Sequence, residues 1–396
     1  MNEAVRAGDV VERCDATAAI EAAPRFQLRV DGRHLDARGC LATLPTGGTA
    51  TLDARVRTFF AARQRGPAML VGLLPFDPHA GDALFQPEWL GQADTAPAPL
   101  PQPFHGEIHA EPLAADYAAA VETAVTQLRQ PDAQMQKVVL ARTLRVQSHT
   151  PIDPYALVAR LGRDPDAVTY LAPLPVAADQ PSAWLVGASP ERLVSRRGRQ
   201  VLSHPLAGSA ARRADPAEDA QAARDLLASV KDHDEHRYVV EAIVAALRPY
   251  CDVIDAAPQP TLHATTTLWH LGTRIEARLR DPHTPVATLL AALHPTPAVC
   301  GTPPALARDA IHALEPVPRG FYAGAVGWID AHGDGDWYVA IRCARVQGMQ
   351  ARIHAGAGIV AGSEPALEVA ETAAKFGALL AALGAAPAPS MDSWSC

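Results

Sequence analysis

Residues 322–360 carry the pattern that says most about the fold: YAGAVGWIDAHGDGDWYVAIRCARVQGMQARIHAGAGIV. Within them, apolar and polar residues alternate along 322–330, 336–346 and 349–355, as they do in half-buried β-strands. Polar turns such as HGDGD separate these segments. Because short turns join neighbouring strands in antiparallel order, the stretch predicts three antiparallel strands.

On the N-terminal side of this stretch, and again after it, strands and helices are mixed without the regular alternation that builds a parallel sheet. Helices are predicted at about 117–128, 154–161, 215–247, 285–293, 305–314 and 365–383. Further strands are predicted at 26–30, 68–74, 137–146, 167–173 and 183–187. The chain contains no internal repeat. The pattern therefore predicts an α+β protein built on antiparallel sheets.

The composition excludes several classes of protein. The 396 residues have a formal net charge of -8, and a nucleic-acid-binding surface would need a basic stripe. No run of about 18 apolar residues predicts a membrane span, and the first residues lack the apolar segment of a signal peptide. The six cysteines form no C-x-x-C pair, so reduced thiols and a cytoplasmic location are expected.

The lysines are unusually few. Of 35 lysines and arginines, only Lys137, Lys231 and Lys375 are lysines. A lysine can lose its proton when it is desolvated, and its ammonium is compact, whereas arginine stays charged and planar. The alternative explanation for each lysine is that it is an ordinary surface residue retained by chance. All three lie in segments with other functional signals, which favours a functional role.

Two predicted helices carry acids at the spacing of metal ligands. Asp232 and Glu235 are three residues apart, as are Glu368 and Glu371, so each pair shares one helical face. One or two carboxylates per helix, with positions left for water and substrate, suit Mg²⁺. A solvated helical face is the alternative. The glycine-rich segment 355–358 precedes the second pair closely and favours the metal site, although it lacks the G-x-G-x-x-G pattern of a dinucleotide site.

A candidate acid and a candidate base lie near strand ends. Glu191 follows the predicted strand 183–187 and is positioned to act as a general acid. Lys137 begins an apolar strand, and burial in an interior would lower the pKa of its ammonium towards that of a usable base. An exposed glutamate after a proline is the ordinary alternative for Glu191.

The motifs, taken together and in order, resemble those of the chorismate-utilising enzymes, and among these the isochorismate synthases of siderophore pathways. The segments that carry the resemblance are KVVLAR (137–142), GASPE (187–191), HPLAGSA (204–210), VKDHDEH (230–236), TLWHL (267–271), LHPTPA (293–298), YAGAVGW (322–328), IRCA (341–344), AGAGIV (355–360) and EVAETAAK (368–375). The resemblance covers about residues 100–385. It implies one large domain of two stacked antiparallel sheets with helices outside.

The resemblance also implies roles for individual residues. Lys137 corresponds to the base that activates water for attack at ring carbon 2 of chorismate, and Glu191 to the acid that protonates the hydroxyl leaving carbon 4. Glu235 and Glu371 correspond to direct Mg²⁺ ligands, while Asp232 and Glu368 hold metal-bound waters. The remaining implied substrate contacts are Gly208, Ser209, His270, Ala298, Tyr322, Ile341, Arg342, Gly358 and Lys375.

Three kinds of function stay open within this interpretation. Isochorismate synthase is favoured, because the chain carries no glutaminase domain and has Lys137 where anthranilate synthases have glutamine. Salicylate synthase, which also eliminates pyruvate, is the rival: Ala298, Val299 and Ile341 argue against it, whereas Tyr322 and His354 depart from the isochorismate-synthase pattern. A silent regulatory subunit would be expected to lose a catalytic acid, and none is lost.

The same resemblance predicts the organisation of the chain. Residues 1–100 are expected to be a variable N-terminal part of the same fold, 101–385 the chorismate-binding catalytic region, and 386–396 a disordered tail. Mg²⁺ is the expected cofactor. A monomer without a glutaminase subunit is expected, and no nucleic-acid or membrane partner. The downstream pathway, whether towards a siderophore, menaquinone or an antibiotic, is left open.

Overall fold

Two large antiparallel sheets dominate the structure, a computed structural model that describes residues 25–30, 32–62, 65–92, 100–164 and 167–385. The strands in chain order are β1 (Arg25–Val30), β2 (Arg33–Arg38), β3 (Ala42–Thr43), β4 (Met69–Leu74), β5 (Ala83–Gln86), β6 (Trp89–Gly91), β7 (Gly106–Glu111), β8 (Lys137–Ser148), β9 (Val168–Leu174), β10 (Ala183–Ser189), β11 (Arg192–Arg197), β12 (Gln200–His204), β13 (Leu206–Ala211), β14 (Cys251–Ala256), β15 (Thr261–Ala264), β16 (Leu268–Gly272), β17 (Ile275–Leu279), β18 (Gly301–Thr302), β19 (Ala325–Asp330), β20 (Gly335–Val339), β21 (Cys343–Gln347) and β22 (Gln350–Ile359).

The first sheet has the order β18-β8-β22-β21-β10-β9-β1-β2-β6, with β7 also paired to β8. The second sheet has the order β14-β17-β12-β11-β20-β19-β4-β5-β3. One core cluster contains buried side chains of both sheets, among them Val138 of β8 and Leu73 of β4, so the sheets are stacked. The predicted α+β class with stacked antiparallel sheets is confirmed.

The helices are α1 (Leu52–Ala61), α2 (Ala114–Leu128), α3 (Pro154–Leu161), α4 (Pro216–Ala228), α5 (Val230–Leu247), α6 (Val286–Leu293), α7 (Pro304–Leu314) and α8 (Pro365–Leu383). A second core cluster packs apolar residues of α3 and α8 against the outer face of the first sheet. Local chemistry sets several ends: Asp153 caps α3 by accepting from the backbone of Tyr155 and Ala156, and Gly384 ends α8 with φ 83°. Among the described residues, no helix is both long and apolar enough to cross a membrane.

The predicted helix at 215–247 is in fact two helices. α4 ends at Ala228 and α5 begins at Val230, because Ser229 adopts an extended conformation and its side chain accepts a hydrogen bond from Asp232 N. Serine is a favoured N-cap, since its hydroxyl satisfies a backbone N–H that the first turn leaves free. The break gives α5 its own N-terminus beside the acids Asp232 and Glu235.

The predicted strand at 336–346 is also two elements. β20 belongs to the second sheet and β21 to the first, so the chain crosses between the sheets at 340–342. Arg342 has φ 51°, a conformation that costs a side-chain-bearing residue of order 1 kcal/mol. Ile341 N donates to Val339 O in the same crossing. A pattern of alternating polarity cannot detect such a crossing, because the alternation continues on both sides of it.

The state of one cysteine and a small third sheet depart from what the sequence predicts. Cys251, Cys300 and Cys343 are buried free thiols, but Cys40 is disulfide-bonded, so the expectation of reduced thiols is wrong at that position. The predicted tail 386–396 lies outside the described residues. A small third sheet, β13-β16-β15, was not predicted, and it carries Ser209 and His270.

Candidate active site

The predicted base Lys137 lies in the interior at the start of β8, where it pairs with Thr302 of β18. Its side chain has no exposed surface, and its Nζ is 3.1 Å from Glu235 Oε1. Nζ makes no hydrogen bond of good geometry within the described residues. Lys137 therefore lies behind Glu235, and Glu235, not Lys137, is part of the pocket wall.

The predicted acid Glu191 lies in the connection between β10 and β11 and is 3% exposed. Its backbone N–H donates to Ser189 Oγ at 3.2 Å. Burial raises the pKa of the Glu191 carboxyl to about 8, although the charge of Lys137 and a hydrogen bond from the backbone of Leu206 oppose the shift. Glu191 is consequently protonated at neutral pH and can donate a proton.

The first acid pair lies on the first turns of α5. Asp232 Oδ2 accepts from Ser229 Oγ at 2.5 Å, and burial raises the pKa of the Asp232 carboxyl. Gly208, with φ 79°, lies against it: a Cβ at Gly208 would be 2.9 Å from Asp232 Cβ. The chain thus closes tightly behind Asp232, while Glu235 one turn further on faces the pocket.

The second acid pair lies on α8 and is held by two lysines. Lys375 Nζ donates to Glu371 Oε1 at 2.5 Å and to Gly356 O at 2.8 Å, and Ser209 Oγ donates to Glu371 Oε1 at 2.8 Å. Burial alone would raise the pKa of Glu371, but the charges of Lys375 and Lys231 outweigh it and hold the value at about 2. Glu371 is therefore ionised at any physiological pH.

Glu368 differs from its neighbour on the same helix. Lys231 Nζ lies 2.8 Å from Glu368 Oε1, yet burial and the negative charge of Glu371 raise the pKa of Glu368 to about 7. Glu368 is fully buried and lies behind the pocket wall. A second buried carboxylate so near an ionised one keeps its proton more readily, because like charges disfavour each other's ionisation.

Each lysine of the chain thus forms an ion pair with one of these glutamates. Lys137 pairs with Glu235, Lys231 with Glu368 and Lys375 with Glu371. The three lysines of the chain are thus all part of one buried cluster of charges. The scarcity of lysine had favoured a functional role for Lys231, but its pairing with Glu368 was not predicted.

The donor set fits a hard divalent cation with open coordination positions. Among the described residues no three His, Cys, Asp or Glu side chains form a closed chelate. Mg²⁺ does not require one, because it is usually held by one or two carboxylates together with water and substrate oxygens. Glu235 and Glu371 face the same pocket from two helices, with Asp232 and Glu368 behind them.

The pocket wall also carries a buried cation. Arg342, in the crossing between the sheets, is buried, and burial lowers the pKa of its guanidinium to about 10 despite the opposing charge of Glu371. Its Nη2 lies 3.4 Å from His270 Nε2. Burial, reinforced by Arg342, holds the pKa of His270 well below its ordinary value, so this imidazole is neutral.

The remaining wall is formed by small, aliphatic and aromatic residues. Tyr322 and His354 stack with ring centroids 4.7 Å apart and an interplanar angle of 15°. Of the predicted site residues, those that line the pocket are Glu191, Gly208, Ser209, Glu235, His270, Ala298, Tyr322, Ile341, Arg342, Gly358, Glu371 and Lys375. Lys137, Asp232 and Glu368 lie behind it.

A buried ion pair that was not predicted supports one wall. Arg319 donates to Val139 O at 2.7 Å and to Val299 O at 2.6 Å, and its Nε lies 2.9 Å from Glu315 Oε2. Both carbonyls belong to residues of the pocket wall. The i, i+4 spacing of Glu315 and Arg319 was visible in the sequence but is too common to indicate a site.

The sequence is similar to those of known proteins over most of its length. The family described as "Chorismate binding enzyme" matches residues 86–384. "Isochorismate synthase DhbC" of Bacillus subtilis is 42% identical over 344 residues, which are 84% of this chain and 86% of that protein. "Isochorismate synthase EntC" of Escherichia coli K12 is 34% identical over 393 residues, 95% of this chain and 98% of that protein. The crystal structure of DhbC from Bacillus anthracis is 39% identical, has a TM-score of 0.85, and covers 92% of this chain and 97% of its own.

Proposed function

The chain belongs to the chorismate-binding enzymes, and on that premise we propose that its pocket isomerises chorismate to isochorismate with the help of Mg²⁺. The enzyme is thus an isochorismate synthase, an isomerase. The observation that carries this proposal is the coexistence, in one pocket, of a protonated acid, Glu191, with the ionised Glu371 and the cations Arg342 and Lys375. The substrate is a dianion, and these cations offset its charge.

The proposed reaction needs one proton acceptor and one proton donor. Water forms a bond to ring carbon 2 and gives up a proton to Lys137, the ring double bonds shift, and the bond from carbon 4 to its hydroxyl breaks. Glu191 protonates the departing hydroxyl, which leaves as water. The product has the mass of the substrate. A positioned acid and base each contribute on the order of 10²- to 10⁴-fold to such a rate.

The position of Lys137 supports this role through its neighbour Gly358. A Cβ on Gly358 would lie 2.0 Å from Glu235 Oε1 and 3.0 Å from Lys137 Cε. The missing side chain therefore leaves room for the Lys137–Glu235 pair at the pocket wall. Lys137 can accept a proton from a water at this wall only in its neutral form, so the ammonium of the resting ion pair must first release a proton, and Nζ must exchange its contact with Glu235 for one with the water.

The metal is assigned to the two helices that carry the acids. Glu235 and Glu371 would hold Mg²⁺ at the pocket wall, and Asp232 and Glu368 would hold its water ligands. When bound, the cation would supply positive charge to the ring carboxylate of the substrate. Because water is the nucleophile, the proposal includes no ammonia-supplying glutaminase subunit.

Product analysis tests the function directly. Purified protein incubated with chorismate and Mg²⁺ is expected to give a product of unchanged mass, which a separate isochorismate pyruvate-lyase converts to salicylate. EDTA is expected to lower the rate at least tenfold, because the acids alone leave the ring carboxylate without its cation. The measurement is chromatography with mass detection. Full activity in EDTA would contradict the metal assignment, and salicylate formed without the lyase would make the protein a salicylate synthase.

Gly358→Ala is expected to lower kcat/KM at least tenfold with little loss of fold. The new methyl group displaces the Glu235 carboxylate, which is the movable end of a side chain, so the backbone need not shift. Gly377→Ala on α8 is the matched control: no atom lies within 4 Å of its added Cβ, and alanine is a better helix former by about 0.5–1 kcal/mol. Steady-state kinetics and thermal unfolding of both variants check this. Equal kcat/KM in the two variants would be evidence against the role of Gly358.

A further inference from the structure

His354 is a buried histidine whose ring nitrogens both lack a hydrogen-bond partner among the described residues. Its side chain is on β22, is 6% exposed and lines the pocket. Tyr322 contacts it with a ring face, in the parallel stack, and so offers no hydroxyl to either nitrogen. The proposed reaction uses Lys137 as the base and Glu191 as the acid, so it leaves His354 without a role.

The other buried histidines in the described part of the chain are better satisfied. His294 Nε2 lies 2.7 Å from Pro75 O, His236 Nε2 lies 2.8 Å from Thr273 Oγ1, and His270 Nε2 contacts Arg342 at 3.4 Å. A buried polar group without a partner destabilises the folded state, so an unpaired one in a binding pocket indicates a partner that arrives with the ligand. His354 is the exception within this group.

The protonation state of His354 fixes what it can offer. Burial lowers the pKa of the imidazole to about 3, and the charges of Arg352 and Arg319 add to the shift. A neutral imidazole has one N–H donor and one acceptor nitrogen. His354 can therefore donate to a ligand oxygen without adding a charge to the pocket.

The register of β22 locates His354 relative to the acids. His354, Gly356 and Gly358 alternate with the residues between them and so share one face of the strand, and all three line the pocket. Gly358 lies beside Glu235, and Gly356 O holds Lys375. At about 3.4 Å per residue, His354 is roughly 14 Å along the strand from Gly358, at the end remote from Glu235.

We propose that His354 donates a hydrogen bond to an oxygen of the enolpyruvyl side chain of the bound substrate. This rests on the proposed function, in which the ring carboxylate faces the acids and the carbon 4 hydroxyl faces Glu191. The enolpyruvyl group is then the oxygen-bearing part of chorismate that is left to reach the His354 end. His354 is thereby a substrate-positioning and specificity-determining residue, and Tyr322 holds its ring in plane.

The test compares His354→Phe with His354→Gln, using the full chain with Mg²⁺. Phenylalanine keeps the stack on Tyr322 and removes both unpaired nitrogens, so the Tm of the ligand-free protein is expected to stay the same or rise. The Kd for chorismate, from titration of thermal stability, is expected to rise tenfold or more, as for the loss of one hydrogen bond to a charged group. His354→Gln, which keeps a donor, is expected to stay within about threefold of wild type.

His294→Phe is the matched control, because His294 is equally buried but does not line the pocket. It breaks the contact with Pro75 O, so a lower Tm with an unchanged Kd is expected. A His354→Phe variant with a wild-type Kd, or with a lowered Tm and unchanged Kd, would overturn the proposal. If the wild-type protein bound chorismate but formed no isochorismate, the proposed function would fail, whereas the effect of His354 on Kd would still be measured.

Discussion

Glu191→Gln is expected to lower kcat by about 10²- to 10⁴-fold while the Kd for chorismate changes little. Glutamine has the shape and hydrogen-bonding capacity of the protonated carboxyl that burial maintains at neutral pH, so the pocket is preserved. It cannot give its proton to the departing hydroxyl. Steady-state kinetics with chorismate, together with the thermal titration, separate these two effects.

The raised pKa of Glu191 also makes the stability of the folded protein depend on pH. Protons are bound more tightly by the folded state, so its favourable contribution is complete below pH 4.5 and is lost as the pH rises through about 8. Relative to its value below pH 4.5, the contribution of Glu191 to the free energy of unfolding is smaller at pH 7 by on the order of 3 kcal/mol. Glutamine does not titrate, so the Glu191→Gln variant avoids this loss and is expected to be more stable than wild type at pH 7. The kcat of wild type is expected to fall above about pH 8.

The same substitution at an exposed acid gives the control. Glu241→Gln on α5 changes a side chain that is 60% exposed and pairs with Arg237 on the surface. It is expected to leave kcat and its pH dependence unchanged. A Glu191→Gln variant as active as this control would remove Glu191 from the mechanism.

Lys137→Met is expected to lower kcat by about 10²- to 10⁴-fold and to destabilise the folded protein. The lysine is completely buried against Glu235, and removing one partner of a buried ion pair leaves an uncompensated charge worth about 3–5 kcal/mol. Lys137→Arg is expected to be inactive too, because arginine does not deprotonate. Steady-state kinetics with Mg²⁺ measure the loss of turnover, and thermal unfolding in EDTA measures the loss of stability.

A double variant separates the base from the ion pair. Lys137→Met combined with Glu235→Gln removes both buried charges, so most of the lost stability is expected to return while activity stays absent. If the double variant remained as unstable as Lys137→Met, the ion pair would not explain the instability. If Lys137→Arg turned over chorismate at the wild-type rate, Lys137 would not be the base.

Much of the fold follows from periodicity, because it is set by residues near each other in the chain. The predicted helices at 154–161 and 365–383 match α3 and α8 to the residue. The departures arise where a single residue overrides the pattern. Ser229 interrupts an otherwise continuous helical periodicity by capping α5, and Arg342 lets alternating strands continue into a different sheet.

The site shows the same division between local and non-local information. Ordered motifs identified twelve residues that line the pocket, because residue type and spacing are properties of the sequence. They did not indicate that Lys137 lies behind Glu235, since depth depends on how α5 packs against β13 and β16 of the third sheet. The support of Val139 and Val299 by Arg319 is likewise a contact between distant segments.

The confinement of lysine to one buried cluster has a practical meaning for chemical labelling. The side chains of Lys137, Lys375 and Lys231 are 0%, 14% and 26% exposed, while the cations on the rest of the chain are guanidinium groups. Reagents that acylate amines modify scattered surface lysines in most enzymes. In this protein Lys375 lines the pocket, whereas Lys231 pairs with Glu368 behind its wall, so acylation of Lys375, read against that of Lys231, reports whether the pocket is filled.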